Sequence, residues 1–185
     1  MYFSVKYLDV EIISPRGVVM ADAVDQILAA WRATRPDVDA SPMAVVGRIT
    51  RLARVFDREL TEFFKGHGLE RWEFDVLATL HRSGGAEGLT AGALNRAAMI
   101  TSGAITNRID RLAAKELVVR VPDPVDRRSV RVQLTERGRA LVDEVLPLHV
   151  ANERRLLAGL SGQDRDELAT LLRTLAESLG DTSLT

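Results

Sequence analysis

Between Thr101 and Arg128 the chain spaces its side chains in a way that suits the reading of a DNA groove. Ile105, Ile109 and Leu112 recur at i, i+4 and i+7, which puts them on one apolar stripe of a helix. At about 100° per residue, Gly103, Thr106, Asn107 and Asp110 then fall on the opposite side, with Arg111 beside them. Short hydrogen-bonding side chains and a glycine let the backbone approach base edges, whereas a face made for solvation alone more often carries Glu and Lys. Thr101 or Ser102 can cap this helix by accepting an unpaired first-turn N–H. Arg127 and Arg128 come next, in the run Pro122-Asp123-Pro124-Val125-Asp126-Arg127-Arg128-Ser129 between two β-branched stretches, 118–121 and 130–134. Proline cannot pair within a central strand, so the run is the turn of a hairpin. The arginines project at its tip, where a guanidinium can enter a narrow minor groove. Asp126 is placed to hold one of them by a charge-assisted bond.

A second constellation lies on the helix expected over 71–82. Glu73, Leu77 and Leu80 gather near one face, and Trp72, Asp75 and Thr79 near the other. An exposed indole is usually covered by something, so Trp72 beside Asp75 marks an unusual surface. Arg108 stands about 60° from the Ile105–Ile109–Leu112 stripe, at the edge of the buried side, and needs an anionic partner. Asp75 is the candidate. The pair either joins two helices as a fixed bridge or belongs to a ligand-sensitive site.

Enzymatic chemistry has little support. His67, His81 and His149 are scattered without partners at metal spacing, and there is no Gly-rich phosphate loop or nucleophile motif. We expect no catalytic residues, metal or cofactor. Zero cysteines exclude disulfides and thiol-based sensing.

Several elements must position these residues. Leu89 to Ala97 reads as a short helix capped by Thr90, and Ala98-Met99-Ile100 is a connection short enough for a helix-turn-helix. Residues 22–32 carry Val24, Ile27, Leu28 and Trp31 on one stripe. Ser41 as cap and Pro42 at the first helical position start a longer helix that runs to Gly66. Thr135 caps a helix bearing Leu141, Val145, Leu146 and Leu148, which Pro147 should kink. Ser161 and Asp164 resemble a capping box ahead of a last helix striped with Leu168, Leu171, Leu172, Leu175 and Leu179. Such a stripe serves either an intramolecular core or a partner helix. Residues 1–20 alternate weakly like a strand and read as an N-terminal extension, either an upstream segment or a flexible, disordered arm. Amphipathic helix character begins directly after Met20, which is a second candidate start.

The 185 residues carry a net charge of −1, distributed unevenly. From Arg96 to Arg139 there are ten Lys/Arg against five Asp/Glu, while the remainder holds fifteen against twenty-one. A phosphate-facing patch on an acidic body fits this better than a uniformly neutral surface. No apolar run is long enough to span a bilayer and no secretory signal is evident, so a cytoplasmic location without membrane contact is expected.

The run TSGAITNRIDRL…PDPVDRRSVRVQLTERG resembles the winged helix-turn-helix core of the MarR-type bacterial transcription regulators, over about residues 45–180. Its D-x-R wing followed by LT-x-x-G is the most specific part. Glu116 departs from the pattern, since the family commonly has Gly after the recognition helix. The resemblance implies a mainly α fold with a small β-hairpin wing. It places the winged helix-turn-helix domain at 67–135 and a helical dimerisation region at 21–66 and 136–185. It also implies a homodimer on a pseudo-palindromic operator in double-stranded DNA. Thr90, Ser102, Gly103, Thr106, Asn107, Arg111, Arg127 and Arg128 would then touch DNA. Trp31, Asp75, Arg108 and Arg120 further resemble the constellation of the urate-responsive branch, which implies a repressor released by a small anionic effector such as urate. A regulator of phenolic or antibiotic ligands, and a non-catalytic protein interaction module, are the alternatives.

Overall fold

The computed structural model describes residues 11–14, 17–97, 105–126 and 128–182, which divide into two compact units, 1–58 and 59–185. In the first unit, β1 (Glu11–Ser14) pairs antiparallel with β2 (Gly17–Met20). This part of the expected extension is therefore a hairpin, as its β-branched Ile12, Ile13, Val18 and Val19 favour. α1 (Ala23–Thr34) follows, capped by Asp22, whose carboxylate accepts the Val24 and Asp25 N–H groups. Val24 and Leu28 are buried against Ala40, whereas Ile27 and Trp31 of the same stripe stay exposed. Arg48 bridges Asp22 and Asp25 at 2.9 and 2.7 Å. The expected Ser41 cap is not formed as anticipated. Pro42 does begin α2 (Pro42–Gly66), but the Ser41 hydroxyl donates to Asp39, a charged acceptor two residues away.

The second unit holds α3 (Arg71–Ser83), β3 (Leu89–Thr90), α4 (Ala91–Ala97), α5 (Ile105–Ala114), β4 (Val118–Pro122), β5 (Val130–Leu134), α6 (Glu136–Leu156) and α7 (Gly162–Ser178). Its three-stranded sheet runs β3-β5-β4, all antiparallel. Pro122, expected in the turn, instead ends β4 opposite Val130. β4 is an edge strand, where a missing N–H is tolerated. One core joins Phe64, Phe74, Leu77, Leu80, Leu94, Ile109, Leu112, Val132 and Val142, so the stripe on α5 is buried as its spacing predicts.

Two local features lock the wing to this core. α5 ends with Leu117 N–H on the Leu112 carbonyl and Glu116 N–H on that of Ala113, which forces Glu116 to φ 58°. Thr135 caps α6 by accepting the Gly138 N–H at 2.9 Å and donates to the Glu116 carbonyl at 2.7 Å. A Cβ at Gly138 would collide with the Leu117 carbonyl oxygen, which is why the LT-x-x-G run needs glycine at its last position. α6 continues through Pro147. Ser161 and Asp164 form the expected capping box of α7, yet α7 buries no residue. Its leucine stripe stays exposed, 60% at Leu171 and 76% at Leu179 just past its end. Within its own unit, then, the stripe joins no core among the described residues.

Candidate nucleic-acid interface

With Ile105, Ile109 and Leu112 sealed below, Thr106, Asn107, Asp110 and Arg111 are left exposed on α5. Thr90 lies at the end of β3, and its hydroxyl accepts the Ala93 N–H at 3.2 Å, which fixes the start of α4. Thr101, Ser102, Gly103 and Arg127, together with the connection 98–100, lie outside the described residues. Arg128 is exposed on the wing.

The wing tip is shaped by an aspartate other than the expected one. Asp126 meets Arg128 through its backbone N–H, at 3.0 Å, and not through its guanidinium, while Arg127 lies outside the described residues. Two residues of separation suit a tight turn better than a side-chain bridge. Asp123 is the organising group. It is buried and accepts the N–H groups of Val125 and Asp126 at 2.8 and 3.0 Å and Arg131 Nε at 2.6 Å. Those backbone bonds, with the Arg131 guanidinium, hold its carboxyl down to about 2. The Asp123-x-Val125-Asp126 spacing of an Asx-type turn could have flagged this role.

The charged residues on α5 find partners within the chain. Arg120 of β4 pairs with Asp110 at 2.7 Å, so the one carboxylate on the outward face is neutralised. Arg111 turns back to Glu70 at the head of α3 and lies over the Trp72 ring, 4.8 Å from its centroid. The Trp72 indole N–H donates to the same Glu70 carboxylate. Lys115 reaches Glu73 at 2.7 Å; Glu73 is fully buried, and its other oxygen has no partner among the described residues.

The second constellation is rearranged. No hydrogen bond or ion pair closes between Asp75 and Arg108; Arg108 instead lies over Trp72, 5.3 Å from the ring centroid. A half-buried guanidinium gains from the π face of an indole on the adjoining helix. Desolvation pushes the Asp75 carboxyl above its ordinary value, against the pull of Arg71, His149, Arg108 and Arg82. Asp75 and Arg108 therefore share a charged neighbourhood without direct contact. Arg120 is engaged with Asp110, and Trp31 belongs to the other unit. Thr79, grouped with Trp72 from the sequence, is buried, and its hydroxyl donates to the Asp75 carbonyl at 2.7 Å. Among the described residues no cluster of His, Asp or Glu could hold a metal ion, and no helix is long and apolar enough to cross a membrane.

A family model described as the MarR family matches residues 67–129, which span α3 through the wing. The HTH-type transcriptional regulator PecS of Dickeya dadantii is 38% identical over 156 residues, covering 84% of this chain and 94% of PecS. The chain belongs to the MarR family. It is a winged helix-turn-helix transcription regulator, and no catalytic family is indicated. Among solved structures, AbsC, a MarR-family regulator from Streptomyces coelicolor, superposes with a TM-score of 0.70 at 25% identity, over 78% of this chain and 98% of AbsC. A cysteine-to-serine variant of Escherichia coli MarR in complex with operator DNA gives a TM-score of 0.64 at 26% identity, over 75% of this chain and 99% of that one. The MarR-family architecture is the one the T-S-G-A-I-T-N-R-I-D-R-L run and the wing pointed to. The urate-responsive branch is a narrower resemblance than these matches carry.

Proposed function

We propose that this chain is a homodimeric repressor that reads a pseudo-palindromic operator through α5 and the wing, and that a small anionic ligand releases it. The observation carrying the DNA reading is the exposed Thr106–Asn107–Asp110 face on a helix whose other side is sealed in the core. Thr106 and Asn107 contribute base contacts, and Arg128, with Arg127, anchors the wing. The half-sites lie about one helical turn apart, roughly 10 bp. The exposed leucines of α7 provide the dimer surface.

The ligand reading rests on Asp75 and Arg108. A planar anion would take over the Arg108 guanidinium and repel Asp75, so its binding would differ between DNA-competent and DNA-incompetent arrangements. Arg120 adds a second cation, and its release from Asp110 would uncover a carboxylate on the DNA-facing side. Phenolic or antibiotic ligands are the second reading. It is favoured by the 32% identity, over 62% of this chain, to the multiple antibiotic resistance protein MarR of Escherichia coli. The test is operator affinity with and without urate, and with and without salicylate, for wild type, Asp75→Asn, Arg120→Ala and Trp31→Phe. Ligand should weaken wild-type binding by about 5–150-fold. Asp75→Asn should blunt that release, and Trp31→Phe shows whether the first unit takes part. Equal release of every variant would remove this constellation from sensing.

A further inference from the structure

We propose that Glu70 withholds Arg111 from nucleic acid, so that this carboxylate sets how many phosphate contacts the recognition helix makes. The proposal rests on the DNA-binding reading above. By position along α5, Arg111 stands about 40° from Asn107, on the outward side. Its guanidinium nevertheless points back to α3, paired with Glu70 and stacked over Trp72. Glu70 is held from both sides, with Arg111 on one carboxylate oxygen and the Trp72 indole N–H on the other. These two donors keep its carboxyl below the ordinary value, so Glu70 is charged throughout the neutral range.

A carboxylate on a guanidinium occupies the geometry a phosphate would take, with the same sign of charge. The exchange is open, because the two side chains are 47% and 51% exposed. Once the Glu70 charge is removed, a phosphate can therefore take its place on Arg111 without unfolding anything. The neighbouring charge on the helix is handled in the opposite sense. Arg120 neutralises Asp110 and removes a source of repulsion toward DNA, while Glu70 keeps a source of attraction in reserve. The result lowers sequence-independent binding, which depends on phosphate contacts, more than it lowers base readout. Glu70 is thus a specificity-determining residue that never needs to touch DNA.

The experiment is a salt series on a duplex of unrelated sequence and on the operator, for wild type, Glu70→Gln, Arg111→Ala and the double variant, with melting temperatures as the folding control. Glu70→Gln should tighten binding to the unrelated duplex and steepen the slope of log affinity against log salt by about 0.9, the value for one added phosphate contact. Arg111→Ala alone should leave the slope unchanged, and the double variant should match it. Glu70→Asp, which keeps the charge but shortens its reach, should reproduce the steepening if the glutamine variant melts early. Flattening of the slope by about 0.9 in Arg111→Ala alone would show Arg111 already on phosphate and overturn the proposal. So would a Glu70→Gln variant that binds as wild type does, which assigns the pair to folding alone. A wild type that binds no duplex overturns the DNA-binding reading, and the proposal with it.

Discussion

Leu77, Leu94, Ile109 and Leu112 behind the recognition helix are sealed within one chain, whereas Leu168, Leu171, Leu172 and Leu175 of α7, with Leu179 at its C-cap, keep their apolar surface exposed. Both sets are read from the same helical periodicity, and both helices form as their caps direct. The difference lies in what each face meets. α5 is short and is flanked by α3, α4 and the sheet, so its stripe has somewhere to go. α7 is made helical by its Ser161–Asp164 box and by propensity, but none of the described residues of its own unit covers the stripe. A contiguous exposed leucine face of this kind marks an interface. The winged core closes on itself, whereas the partner proposed for α7 is a second copy of this chain.

The comparison can be broken from either side. Leu171→Asp with Leu175→Asp should convert the dimer to a monomer and weaken operator binding by about 10²-fold or more, through loss of simultaneous half-site contact. The helical content of the chain should change little. Sedimentation velocity with operator titration checks this; a wild type that sediments as a monomer would refute the role given to α7. On the other side, Gly138→Ala drives a methyl into the Leu117 carbonyl and should cost about 1–3 kcal/mol of unfolding free energy, read as a lower denaturant midpoint. It should leave the oligomeric state alone. The smallest effect is a gain. Glu116→Gly relieves a left-handed residue and loses only an exposed pair with Arg137, so stability should rise by about 0.5–1 kcal/mol in the same measurement.

Much of this was legible in the sequence, because periodicity and capping act over a few residues. The α5 stripe, the Thr135 cap and the Ser161–Asp164 box all follow from local spacing, while Glu116 was marked only by the family resemblance. The short β3 strand was not legible, since two residues carry no alternation and its pairing with β5 is set forty residues away. Charge partners were least legible of all. Arg111 had an outward position but was captured by Glu70; Arg120 went to Asp110, and Arg108 to the Trp72 face rather than to Asp75. Long cationic side chains choose among several acceptors within reach, and that choice depends on packing between helices. Asp123 was passed over for Asp126, although its backbone acceptor geometry is local and could have been found.

The most direct test of the central claim is the affinity of the purified protein for DNA upstream of its own gene against a scrambled duplex, with Arg128→Ala measured alongside. α5 and the wing as described predict at least about 10³-fold preference for the upstream DNA. They also predict weaker binding by Arg128→Ala, with a salt slope lower by about 0.9. Equal affinity of the wild type for both duplexes, with Arg128→Ala indistinguishable from it, would contradict the account.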